Sequence, residues 1–184
     1  MEIVPIFENG SDLWCVFSDE HMVDIITVLF EKWNDTDYLV EFLNTHISDL
    51  SAPYWNGISI DTAVNLIRDE VMWLQEKLIC IESPWEDNCK GMNITIKSIF
   101  ENFYNNDYVV NNSDRLVKGK AGGIPAFLRL YGVELSDGTI IISGGAIKLT
   151  GSMNKKHLIE EKNKLIALDE FLASNNIKTV AELK

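Results

Sequence analysis

The chain has 184 residues, 46% of them hydrophobic and 24% charged, with a formal net charge of −12 at pH 7. That is enough apolar material for one real core, and no apolar run has the length of a membrane span. So acidic a molecule repels nucleic acid at long range. The acidity is uneven, however: residues 1–110 hold 20 acidic and 5 basic residues, a net of −15, and residues 111–184 hold 8 and 11, a net of +3. A locally positive patch is therefore expected in the C-terminal part.

The start, Met1-Glu2-Ile3-Val4-Pro5, lacks the basic region and apolar core of a signal peptide. Apolar runs at 2–8 and 13–17 flank Asn9-Gly10-Ser11 and predict an opening hairpin. Met22, Ile25, Ile26, Leu29 and Trp33 then fall at helical spacing, so a helix is predicted over 20–33, capped near Ser18 or Asp19. Asp35-Thr36 can cap a second helix with Leu39, Leu43, Ile47 and Leu50 on one face. Ser59 opens the clearest helix, striped by Ile60, Ala63, Val64, Ile67, Val71, Leu74, Leu78 and Ile81. Acidic residues such as Asp69-Glu70 read as its solvated face. Residues 83–88 read as a loop, 95–104 as a shorter helix, and Asn105–Asp114 as a polar connection where the charge balance changes sign. Residues 155–174 are helical again, with Leu158, Leu165 and Leu172 seven apart. Cys15, Cys80 and Cys89 are odd in number and contain no CxxC, which predicts reduced thiols in a cytoplasmic protein. The fold class is α+β: an acidic helical part (1–110), then a small antiparallel sheet and a closing helix (111–184), packed as one unit.

The stretch AFLRLYGVELSDGTIIISGGAIKLT, residues 126–150, carries the chemistry. Asp137-Gly138 between alternating strands signals a two-residue hairpin loop in which both residues take positive φ. In that register Val133 faces Ile142, Tyr131 faces Gly144, Arg129 faces Ala146 and Phe127 faces Lys148. Arg129, Tyr131 and Lys148 then share one face, with Gly144 and Ala146 leaving open floor between them. Leu128, Leu130, Ile147 and Leu149 point into the core. Two cations and a phenol on a floor suit a phosphate: Arg binds its oxygens in pairs, Lys adds a point charge, and Tyr can stack or move a proton.

The run RLVKGKAGGIPAFLRLYGVELSDGTIIISGGAIKLTGSMNKKHLIEEKNKL resembles the sheet-and-helix core of RelE/HigB-type bacterial toxins, over roughly residues 115–165. It is also similar to a wider group of bacterial proteins with an [FW]-L-R-[LI]-Y-[GA] strand and a G-G-A-I-K-L-T block. The toxin resemblance implies mRNA cleavage, on the ribosome or on free RNA, with no metal or other cofactor. The RNA's 2′-hydroxyl attacks the adjacent phosphate while cations stabilise the added charge and a side chain carries the proton. It implies Arg129, Tyr131 and Lys148 in the strand roles, and Lys118, Lys120, Lys155 and Lys156 against RNA. His157 is a further acid/base candidate on chemical grounds. The implied partners are an antitoxin or helix-turn-helix protein, and RNA or the ribosome, with no membrane. A second reading is a non-catalytic protein that binds a protein partner or mimics nucleic acid, its N-terminal acids covering the cationic face. Tyr54 and Trp55, beside Pro53 and Gly57, are candidate partner anchors. The sequence carries no P-loop, no GxGxxG after a strand, no HExxH and no GxSxG, and its histidines and cysteines have no zinc spacing.

Overall fold

The structure is a computed structural model that describes residues 1–7, 12–103, 114–122 and 126–183. The turn at Asn9-Gly10-Ser11 and nearly all of the Asn105–Asp114 connection lie outside the described residues. The opening strands pair antiparallel as predicted, β1 (Ile3–Pro5) on β2 (Leu13–Ser18), with Val4 opposite Cys15. The first helix starts later than its apolar spacing suggests. Val23–Asp24 forms a short strand, β3, folded back on β2. The cap of α1 (Ile25–Asn34) is therefore Asp24, whose carboxylate accepts from the Thr27 N–H at 2.9 Å, and not Ser18 or Asp19.

Asp35 caps α2 (Thr36–Thr45) by accepting from the N–H groups of Asp37 and Tyr38. The helix stops at His46 and restarts as one turn, α3 (Ile47–Leu50), so Leu50 stays buried while Ile47 turns outward. A single 3-10 turn, Pro53–Trp55, leads to α4 (Ile60–Glu82), capped by Ser59 as expected. Its stripe from Ala63 to Leu78 is buried, with one addition: Glu70 is buried too. Spacing explains this, because Glu70 lies three residues after Ile67 and four before Leu74, on the apolar face rather than off it.

The loop after α4 doubles back and joins Cys80 to Cys89 in a disulfide, leaving Cys15 as a buried free thiol. The expectation of three reduced cysteines is thus corrected, since a turn brings together residues that carry no pairing motif. The predicted helix over 95–104 is one turn, α5 (Ile96–Ile99), followed by strand β4 (Phe100–Asn102). Then come β5 (Leu116–Lys120), β6 (Leu128–Glu134), β7 (Ile140–Ile147) and the closing helix α6 (Lys156–Ser174).

The strands form one mostly antiparallel sheet in the order β1-β2-β7-β6-β5-β4, with β3 attached to β2. Its exception is central. β2 runs parallel to β7, with Leu13 beside Ile140, so strands of both halves of the chain make one sheet. Every residue of β7 is buried, as expected of a strand covered on both faces. On one face Leu128, Leu130 and Ile147 pack with residues of α1, α2 and α4, as predicted for the core side of the hairpin. On the other, Val133, Ile141 and Ala146 meet Leu158, Leu165 and Leu168 of α6. Among the described residues no helix is long and apolar enough to cross a membrane.

Candidate functional site: a cationic pocket at the end of the sheet

Two local departures from the expected hairpin cancel at the site. Only Gly138 takes positive φ, at 87°, and Leu135 donates to Thr139 across a three-residue loop, Ser136 to Gly138. Near the turn Val133 therefore faces Ile141 rather than Ile142. A bulge then places Ser143 as an extra residue, its hydroxyl donating to the Tyr131 carbonyl at 3.2 Å. Beyond it the expected pairs return: Tyr131 faces Gly144, Arg129 faces Ala146, and the Lys148 N–H donates to the Phe127 carbonyl. On the other flank β5 sets Lys118 opposite Tyr131 and Lys120 opposite Arg129. Alternation then puts the cations of β5 and β6, and Lys148 just past the end of β7, on one face.

They line a single pocket of about 570 Å³ with Arg129, Tyr131, Lys118, Lys120 and Lys148 on its walls. The N-terminal half supplies the opposite wall through Ser48, Asp49, Tyr54 and Trp55. The floor is not the open one that the small residues suggest. Glu161 of α6 fills the space at Gly144, where a Cβ would collide with its Oε2, and at Gly145 a Cβ would meet the Arg129 carbonyl at 2.7 Å and the Trp33 ring at 2.8 Å. The glycine pair serves helix packing, and the cavity lies further along, where α6 no longer covers the sheet.

Each cation has a distinct state. The Arg129 guanidinium donates to the carbonyls of Ala126 (3.0 Å) and Leu128 (2.7 Å), and among the described residues it makes no ion pair with a carboxylate. Lys148 Nζ donates to the Gly151 carbonyl at 3.0 Å, likewise without a carboxylate partner among the described residues. Burial and the charges of Arg129, Lys118 and Lys120 push its pKa down to about 8. Lys120 and Lys118 share Glu101, at 2.6 and 3.5 Å. These contacts hold the Glu101 carboxyl below its ordinary value, the Lys120 hydrogen bond most of all.

The Tyr131 hydroxyl donates to Met153 Sδ at 3.4 Å, and burial raises its pKa well above the phenol value. The hydroxyl is buried and protonated at neutral pH. His157 does not reach the pocket. Its Nε2 lies 3.1 Å from the Ile147 carbonyl, and its ring packs edge-on against Phe42 and His46, so it ties the start of α6 to β7 and α2. Lys155 pairs with Asp49 at 2.8 Å, and Lys156 points to solvent beside Glu160. Of the proposed partner anchors, Trp55 is buried. It stacks on Phe127 at 4.2 Å and donates to the Leu149 carbonyl at 2.9 Å, whereas Tyr54 stands 64% exposed at the pocket wall.

The sequence reading missed Glu70 and Glu101. Glu70 accepts from the Phe127 N–H (2.8 and 3.0 Å) and the Leu128 N–H (2.7 Å), fixing the start of β6 from which Arg129 projects. No family model, curated protein or solved structure matches the chain.

Proposed function

We propose that the pocket binds an RNA phosphodiester and cleaves it without a metal, in the manner of the RelE/HigB-type toxins that residues 115–165 resemble. The observation that carries this reading is the convergence of Arg129, Lys148, Lys118 and Lys120 in one pocket. Arg129, unpaired with any described carboxylate, takes the phosphate oxygens in paired hydrogen bonds and stabilises the pentacoordinate state. Lys148, with a pKa of about 8, exchanges a proton near neutral pH. Its neutral amine takes the proton of the 2′-hydroxyl as the 2′-oxygen bonds to phosphorus. It then returns that proton to the departing 5′-oxygen, leaving a 2′,3′-cyclic phosphate and a 5′-hydroxyl. The partners on this reading are RNA or the ribosome and an antitoxin or helix-turn-helix protein.

Labelled RNA incubated with the protein, alone and in a translating extract, tests this. Arg129→Ala is expected to slow cleavage by roughly 10²–10³, and EDTA to leave it unchanged. A wild-type protein that cuts no RNA in either setting overturns the catalytic reading. A second, non-catalytic reading is supported by the acids of the N-terminal half that sit on the cations, Glu101 on Lys118 and Lys120 and Asp49 on Lys155. On that reading the acidic part masks the basic face and the protein acts by binding a protein partner. Charge reversal of Glu101 and Asp49 that creates no salt-sensitive RNA binding in a folded protein counts against masking.

A further inference from the structure

We infer that the pocket is built for a single nucleotide bearing a terminal phosphate, with the base against Tyr54 and the phosphate among Arg129, Lys148 and Lys120. This rests only on the phosphate-site part of the function proposed above, and it names a terminal phosphomonoester in place of the internal phosphodiester as the group bound.

Shape comes first. At about 570 Å³ the space falls within the range of small-ligand pockets. It is walled by β5 and β6 on one side, the Leu149–Gly151 segment on another, and the Ser48–Trp55 segment opposite. A space of that size accommodates one nucleotide.

Charge comes second. Four cationic side chains line the space, and Glu101 engages two of them. Asp49 also lines it but is held by Lys155. The surplus exceeds the single negative charge of a phosphodiester and suits a phosphomonoester, which carries about −1.5 to −2 at pH 7. A dianion placed between them relieves the mutual repulsion of these cations, which adds to burial in lowering the Lys148 pKa.

The third element is Tyr54. Its exposed ring is backed edge-on by Trp55 at 5.1 Å, which is locked in turn by its stack on Phe127 and its bond to the Leu149 carbonyl. A rigidly supported aromatic at the wall of a cationic pocket is a stacking platform for a base. The same ligand chemistry is available from a free mononucleotide or from the phosphorylated end of an RNA.

Calorimetric titration of the intact protein with AMP, adenosine, inorganic phosphate, and an RNA hexamer with and without a 5′-phosphate tests the inference. AMP is expected to bind at least about tenfold tighter than adenosine. Tyr54→Ala should weaken AMP by roughly 5- to 100-fold and leave inorganic phosphate unchanged. The phosphorylated hexamer should bind more tightly than the one with hydroxyl ends. A hexamer that surpasses AMP identifies an RNA end as the ligand, and parity identifies the free nucleotide. If inorganic phosphate binds but AMP gains nothing over it, or Tyr54→Ala leaves AMP unaffected, the nucleotide inference is overturned and the phosphate site stands. If no phosphate compound binds, both fall. RNA cleavage is scored separately, so its absence does not touch this result.

Discussion

The two faces of the sheet are made from alternate residues of the same strands, yet they end differently. One face is closed along its length by α1, α2 and α4, and its residues, from Leu13 and Trp33 to Leu128 and Ile147, form one continuous core. The other has a single long helix, α6, which covers Val133, Ile141 and Ala146 and stops short of Arg129 and Lys148. Where the helix gives out, the strands carry Lys and Arg in place of Leu and Ile, and a cavity remains. Function is to be sought where cover is incomplete, and the neighbouring positions Leu128 and Arg129 sample both conditions.

That contrast is sharpest in stability. Leu128→Ala should cost about 2–5 kcal/mol, as truncation of a fully buried leucine does. Arg129→Ala should change stability by under about 1 kcal/mol while removing anion binding. Denaturant melts of the two variants check this, and equal losses would mean that the second face is as much core as the first.

A smaller effect separates the two buried carboxyls. Glu161 pairs with Lys164 through one oxygen, but among the described residues its Oε2 has no hydrogen-bond partner, and burial raises its pKa above the ordinary 4.5. A raised carboxyl pKa favours the folded state at low pH, and that contribution is lost as pH rises through the folded value. Glu161→Gln stays neutral throughout. The Tm of this variant relative to the wild type should therefore climb as pH rises above the ordinary carboxyl value of 4.5, which thermal melts across pH will read. Glu70 is also raised by burial, against the pull of its two N–H donors, so the wild-type slope has two sources and the single variants divide it.

Lys148 gives a pH dependence of the opposite character. The charged amine holds an anion better than the neutral one, so anion affinity should fall as pH rises through about 8. Lys148→Met should flatten that profile. The smallest effect is expected at Glu101, which is half exposed in its pair with Lys120. Exposed pairs are weak, so Glu101→Gln should raise phosphate affinity only about two- to fivefold.

The longest helix and the core side of the hairpin were legible because they rest on periodicity alone: the stripe from Ala63 to Leu78 and the alternation around Leu128 needed no knowledge of distant partners. The common face of Arg129, Tyr131 and Lys148 was legible for the same reason, as the three follow one alternation along β6 and the residue just past β7. That reading succeeded through compensation. Asp137-Gly138 does not distinguish a two-residue loop from a three-residue one with Gly138 last, and the bulge at Ser143 makes up the missing residue. Glu70 and Glu161 were open to the same spacing test, since each sits three and four residues from buried positions of its own helix. Polarity hid them, because acids are so often solvated. The parallel β2–β7 pair, the Cys80–Cys89 bond and Glu101 at Lys120 depend on contacts across the chain, which no local pattern encodes.

The β2–β7 pairing also sets an order of events during synthesis. β2 is made well before its parallel neighbour, which carries Ile140 to Ile142 opposite Leu13 to Cys15. The opening hairpin must wait with an unpaired edge, and pairing across so long a loop is slow. The same late event brings Leu149 to Trp55 and Lys148 to the wall that holds Tyr54. The cationic pocket is thus completed only once β7 has been made, and a nascent chain halted before β7 has the acidic half without the site.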